Sequence, residues 1–229
     1  VSHELRTPLT ALMGFIETLR GPARDDPAAR DRFLGIMADE AGRMNRLVGD
    51  LLSLSRVEAN ERSRPDATVD LHKILNAVVH TNTQLADVAG VDLDPDLEQG
   101  PVYMVGDADQ LTQVFTNLIE NAVKYGAAGG RVTLRMKTVA RDPALRQPAV
   151  RVHVIDYGAG IDPLHLPRLT ERFYRADNHR SRALGGTGLG LAIAKHIINR
   201  HRGRLLIDSE LGQGAEFTVI LPTLPLRQK

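Results

Sequence analysis

The sequence predicts two domains of different class, an all-α helical hairpin over residues 1–62 and an α/β sandwich with a mixed sheet over residues 67–225. Three observations predict it. Apolar residues recur at steps of three and four before residue 60. Strictly alternating apolar and polar residues appear after residue 130. The polar stretch NERSRPD at 60–66 separates the two patterns, and its Pro65 stops a continuing helix.

In the first segment Leu5, Leu9, Leu12, Phe15, Ile16 and Leu19 form one amphipathic stripe, which GPARDDP at 21–27 breaks. A second helix starts near Ala28 and carries Met37, Met44 and Leu51 at seven-residue intervals, interleaved with Ala41, Val48 and Ser55. Two such helices cannot bury both stripes against each other, so a four-helix bundle made by two hairpins is expected, hence a homodimer. Pro8 should bend the first helix, because it cannot donate to the carbonyl of Glu4.

The second segment reads in order as a short strand at 68–70, a helix at 71–89, a strand pair within 91–105 and a helix at 108–125. Strands at 131–139 and 150–155 follow, joined by the long loop ARDPALRQPA. A helix at 192–199 and strands at 205–209 and 216–221 close the domain. One mixed sheet with helices on one face is the expected arrangement.

The chain has 29 Lys and Arg against 28 Asp and Glu with no basic stripe, which excludes a nucleic-acid footprint. The absence of cysteine excludes disulfides, thiolate metal sites and a cysteine nucleophile, and the eight histidines show no zinc-ligand spacing. No apolar run is long enough to span a bilayer.

Three glycine segments stand out: DYGAG at 156–160, GGTGLG at 185–190 and GQG at 212–214. None has P-loop or GxGxxG spacing, since Leu191 and Pro163 stand where glycine would be needed. A glycine turn that opens a helix nevertheless offers N–H groups and a helix dipole to phosphate. The preceding helix carries Asn117, Glu120, Asn121, Lys124 and Tyr125 in NLIENAVKY. Asn117 and Asn121 are four apart and share a face, so two amide oxygens and the Lys124 ammonium can address a magnesium–triphosphate group together.

SHELRTPLT at 2–10, NLIENAVKY at 117–125, DYGAG at 156–160, RFYR at 172–175, GGTGLGLAIAK at 185–195 and GQGAEF at 212–217 resemble, in order, the H, N, G1, F, G2 and G3 boxes of bacterial two-component sensor histidine kinases. The wording is most similar to phosphate-regulon-type kinases. The resemblance implies a dimerisation and phosphotransfer hairpin followed by a GHKL (Bergerat) ATP-binding fold. It implies ATP and Mg2+ as cofactors and a response-regulator receiver domain as partner. It further implies that His3 is the phospho-acceptor, that Glu4 holds its tautomer, and that Thr7, on the same helix face, serves a phosphatase step.

For the nucleotide, the resemblance implies that Asp156 accepts from the adenine amino group, with Gly158, Gly160 and Ile161 beside the base and Tyr125 flanking it. Asn117, Glu120 and Asn121 are implied at the metal, and Lys124 and Arg175 at the phosphates. Gly186, Thr187, Gly188, Leu189 and Gly190 would wrap the phosphates, and residues 177–184 would be the lid. A core or hinge contact is as good a reading of Phe173 as a ligand contact.

Two other readings stay open, a nucleotide-binding scaffold without catalysis and a clamp ATPase of the gyrase, chaperone and mismatch-repair type. The chain opens inside a helical pattern, so it reads as the cytoplasmic fragment of a longer parent in the bacterial inner membrane, attached to the membrane only through upstream segments. With Ser2 as a makeshift cap, the first turn is expected to fray. Dimerisation and autophosphorylation of the fragment should weaken while nucleotide binding survives.

Overall fold

The computed structural model describes residues 2–59, 64–176 and 186–224, with side chains from Leu5 onward. Helix α1 (Ser2–Arg20) carries Pro8 inside it and turns through residues 21–25 into α2 (Pro27–Ala59). Asp26 Oδ1 accepts from the Ala29 N–H at 3.0 Å and caps α2, whose first residue is a proline, a position where the missing N–H costs nothing. The rings of Phe15 and Phe33 stack at 5.4 Å across the hairpin.

The second domain runs β1 (Thr68–Asp70), α3 (Leu71–Ala89), β2 (Asp92–Leu97), β3 (Tyr103–Val105), α4 (Ala108–Gly126), β4 (Arg131–Val139), β5 (Ala149–Asp156), α5 (Gly190–Arg200), β6 (Arg204–Glu210) and β7 (Gly214–Pro222), with short 3-10 turns at Ala127–Gly129 and Leu166–Arg168. Five strands form a mixed sheet in the order β2-β4-β5-β7-β6. α4 packs between α3 and α5 and against β4, β5 and β7. Phe115, Leu118, Ile119, Leu134, Met136, Ile193 and Ile197 are fully buried where helices meet sheet.

One expectation changes. β2 and β3 do not pair with each other. β2 runs parallel to β4, with Asp92 opposite Arg131, while β3 pairs with β1 in a separate two-stranded sheet. Pro95 suits an edge strand, and the outward carboxylates of β2 fit the basic face of β4. Asp94 bonds Arg131, Asp96 accepts from Arg135 Nε at 2.7 Å, and Glu98 accepts from the Thr138 N–H at 2.7 Å.

α2 also buries Leu47, Leu54 and Val57, which lie outside the seven-residue stripe, while Met37, Met44 and Leu51 of that stripe are half-buried in this single chain. Leu47, Leu54 and Val57 belong to the same core cluster as the α/β domain, and α2 packs on α5. The helix therefore has a second apolar face, about a quarter of a turn from the seven-residue stripe. On the hairpin, Leu9, Met13, Ile16, Val48 and Leu52 are exposed. Among the described residues no helix is long and apolar enough to cross a membrane.

Candidate nucleotide site

Helix α4 separates its residue types by face. Leu111, Val114, Phe115, Leu118, Ile119, Ala122 and Val123 face the core, while Asn117, Glu120, Asn121, Lys124 and Tyr125 lie half-buried on the opposite side. Asp107 starts the helix by accepting from the Gln110 N–H at 3.1 Å. The polar face lines a cavity of about 680 Å³, a volume suited to a small-molecule ligand.

Opposite α4, β5 ends at Asp156, which is buried and accepts from the Gly158 N–H at 3.0 Å. Burial pushes the Asp156 carboxyl above its ordinary range, against hydrogen bonds from the Gly158 and Ala215 backbones. Gly160 has φ +71°, and a Cβ there would sit 2.0 Å from the Glu210 carbonyl oxygen. Only glycine lets this turn pass β6.

The third wall is the segment entering α5. Thr187 Oγ1 accepts from the Leu189 N–H at 3.3 Å, Asn117 Nδ2 donates to the Gly190 carbonyl at 3.2 Å, and Arg175 donates to the Gly186 carbonyl at 2.5 Å. The N-terminus of α5 thus opens at the cavity, with backbone N–H groups and a helix dipole suited to an anion. Phe173 sits at φ +63°, its N–H donates to the Gly188 carbonyl at 2.8 Å, and its side chain packs against the core.

The cavity gathers Asn117, Glu120, Asn121, Lys124, Tyr125, Asp156, Gly160, Ile161, Arg175, Gly186, Thr187, Gly188 and Gly190 from the residues expected at a site. Gly158 is not among the lining residues; its N–H donates to the Asp156 carboxylate. The Leu189 side chain is fully buried in the core rather than lining the cavity. Thr7 lies exposed on α1, away from these groups. The side chains of His3 and Glu4, Gly185, and the expected lid at 177–184 lie outside the described residues.

The structure adds residues to which the motifs gave no role, Tyr174 of RFYR among them. His165 bonds the Tyr174 hydroxyl through Nδ1 at 2.6 Å, the Arg168 guanidinium stacks 4.2 Å from the Tyr174 ring centre, and both His165 and Tyr174 line the cavity. Arg46, Gly49 and Asp50 reach the cavity from α2. No local signal marks them, because only packing between domains brings them there.

Lys124 Nζ lies 3.1 Å from Glu120 Oε2. Among the described residues no cluster of three His, Asp or Glu forms a closed metal cage. Two amide side chains beside one carboxylate on a half-buried face do fit magnesium, which is held by one or two carboxylates with other oxygens and completes its shell with phosphate and water.

Residues 106–225 match the family described as Histidine kinase-, DNA gyrase B-, and HSP90-like ATPase, and residues 1–60 match the His Kinase A (phospho-acceptor) domain. The chain is 42% identical over 219 residues to the phosphate regulon sensor protein PhoR of Pseudomonas aeruginosa, covering 95% of this chain and 47% of that protein. It therefore spans about half the length of this curated relative. The structure of Acinetobacter baumannii histidine kinase AdeS superposes with a TM-score of 0.71 at 26% identity, covering 96% of this chain and 97% of that one. Histidine kinase ThkA, solved in complex with the response regulator protein TrrA, shares the fold at a TM-score of 0.75 and 21% identity, over 100% of this chain and 61% of that chain. A phospho-acceptor hairpin joined to an ATPase domain of this type places the chain in the sensor histidine kinase family.

Proposed function

We propose that this chain transfers the γ-phosphoryl group of ATP to His3 and passes it to an aspartate on a response-regulator receiver domain. The carrying observation is the cavity in which the Asn117–Asn121 face, Lys124, Asp156 and the N-terminus of α5 converge. Asp156, at the strand end before the turn that carries Gly160, accepts a hydrogen bond from the adenine amino group, and Tyr125 and Ile161 flank the base. Asn117, Asn121 and Glu120 hold magnesium, which neutralises phosphate charge when bound. Lys124, released from Glu120, and Arg175 contact phosphate oxygens together with the backbone of 186–190.

The chemistry asks the protein mainly to position groups and offset charge. A neutral imidazole nitrogen of His3 forms the new bond to phosphorus as the bond to the ADP oxygen breaks, while Glu4 holds the other nitrogen in its tautomer. Thr7, one helical turn from His3, orients water for hydrolysis of the regulator's phosphoaspartate. ThkA's assembly with TrrA supports a receiver-domain partner, and the exposed Leu9, Met13 and Ile16 on α1 support an interface on the hairpin, shared between a second protomer and that partner. The parent protein works from the inner membrane, with this part on the cytoplasmic side.

Incubation with γ-labelled ATP and Mg2+ tests the reading. Acid-labile, base-stable label lost in His3→Ala is expected. Phosphate release that survives His3→Ala indicates a clamp ATPase, and nucleotide binding with neither product indicates a scaffold.

A further inference from the structure

One face of α2 lies on the α/β domain through contacts that the phosphotransfer scheme does not use. Ser53 Oγ donates to Gln113 Oε1 at 2.9 Å, Glu58 pairs with Arg172, and His196 Nε2 lies 3.8 Å from Glu58 Oε1. Leu47, Leu54 and Val57 are buried on the same face. At the cavity end of this row, Thr187 donates its hydroxyl to Asp50 Oδ2 at 2.6 Å.

We propose that Asp50 is a positioning residue supplied to the nucleotide site by the hairpin: it holds the Thr187 hydroxyl while the domains are docked and yields it to an incoming triphosphate. Nucleotide binding and release of the hairpin are then one linked equilibrium. This rests on the nucleotide reading of the cavity given above.

A threonine hydroxyl has one donor. Thr187 spends it on Asp50, and its oxygen already accepts from the Leu189 N–H at the start of α5. A phosphate oxygen is an acceptor only, so it can bond the Thr187 hydroxyl only if that hydroxyl turns its one hydrogen away from Asp50. Both competitors are anions in one cavity, and their repulsion adds to the competition. Asp50 has a cation one turn away in Arg46, which also lines the cavity, yet its short bond is to the other domain. Burial and neighbouring Glu120 push its carboxyl above the ordinary range, against Thr187, Lys124 and Arg46, as expected for a carboxylate drawn into a partly dry site. Reciprocity follows: whatever fraction of affinity docking removes from the nucleotide, the nucleotide removes from docking.

The chain contains no cysteine, so a pair can be introduced cleanly. Ser53→Cys with Gln113→Cys replaces a hydrogen-bonded pair outside the cavity, and a short bis-maleimide bridging the two thiols traps the docked arrangement. The probe is a fluorescent non-hydrolysable ATP analogue with Mg2+. The crosslinked protein is expected to bind it at least about tenfold more weakly than the uncrosslinked protein, and adding Asp50→Ala to the trapped protein should restore most of the loss. Without the trap, Asp50→Asn should tighten binding by about fivefold or more, within the range of ordinary site coupling. Equal affinity in the crosslinked and uncrosslinked forms, or no response to Asp50→Ala, overturns the proposal. An uncrosslinked protein that binds no analogue overturns the nucleotide reading itself, and the linkage with it.

Discussion

His201→Ala is expected to cost about 3–5 kcal/mol of stability in the α/β domain. His201 is buried at the end of α5, where Nδ1 donates to the Ile197 carbonyl at 2.8 Å and Nε2 accepts from the Asp107 N–H at 3.0 Å. It therefore staples the far end of the helix that opens at the cavity to the first turn of α4. Truncation orphans the Asp107 N–H, worth about 1–3 kcal/mol, and leaves a ring-sized void worth about 2 kcal/mol more. The Ile197 carbonyl keeps the His201 backbone N–H at 3.1 Å, so its loss adds little. His201→Gln, which can still offer an acceptor, should lose roughly half as much.

The same residue sets a pH dependence. Burial pushes the imidazole below its ordinary value of 6.5, Arg200 adds to this, and the hydrogen bond to Ile197 and the charge of Asp107 oppose it. The unfolded chain then takes up the proton more readily than the folded one. This contribution is complete above about pH 6.5 and is lost as pH falls from there toward the depressed folded value. The four tyrosines all lie in the α/β domain and there is no tryptophan, so tyrosine fluorescence during urea unfolding reports this domain alone. A difference between wild type and His201→Ala below about 1 kcal/mol at pH 7.5, or one that does not shrink between pH 7 and pH 5.5, would refute the reasoning.

Asn121→Asp adds a charge beside Glu120 and Asp156, and should weaken Mg–nucleotide binding by roughly tenfold or more in equilibrium titration while leaving the tyrosine-detected unfolding midpoint nearly unchanged. Gly160→Ala must escape both a left-handed φ and the Glu210 carbonyl; a loss of about 2 kcal/mol or more in urea unfolding is expected, with loss of nucleotide binding. Arg135→Ala removes only an exposed pair with Asp96 and should shift stability by less than about 1 kcal/mol in the same measurement.

Much of the α/β domain is legible in sequence because its signals are local. The alternation of Val132, Leu134 and Met136 marks a strand whatever its neighbours are, and the polar face Asn117–Asn121–Lys124 is visible inside NLIENAVKY because helix geometry alone puts those residues together. Pairing is less legible. DLDPDL and YMV are both strand-like and adjacent, but their partners are chosen by Arg131 and Arg135 far along the chain and by the strand at Thr68–Asp70. Leu189 sits inside a glycine motif and looks like part of the cavity, yet packing turns its side chain into the core. The second apolar face of α2 was hidden for the same reason. Met37, Met44 and Leu51 give the clearer heptad, while Leu47, Leu54 and Val57 become buried only because another domain covers them. Asp50 and Arg46 reach the cavity through that same docking, which no spacing within α2 encodes.

The small sheet of β1 and β3 decides how far the catalytic unit can travel. β1 begins at Thr68 and α2 ends at Ala59, and the Gly106 N–H to the Ala67 carbonyl at 2.8 Å fixes the chain just before β1. From Ala59 to Ala67 the chain can span at most about 28 Å. A domain held that close meets its own hairpin at an effective concentration on the order of millimolar. Contacts too weak to hold two separate molecules together can hold these two, and a modest ligand affinity is enough to part them.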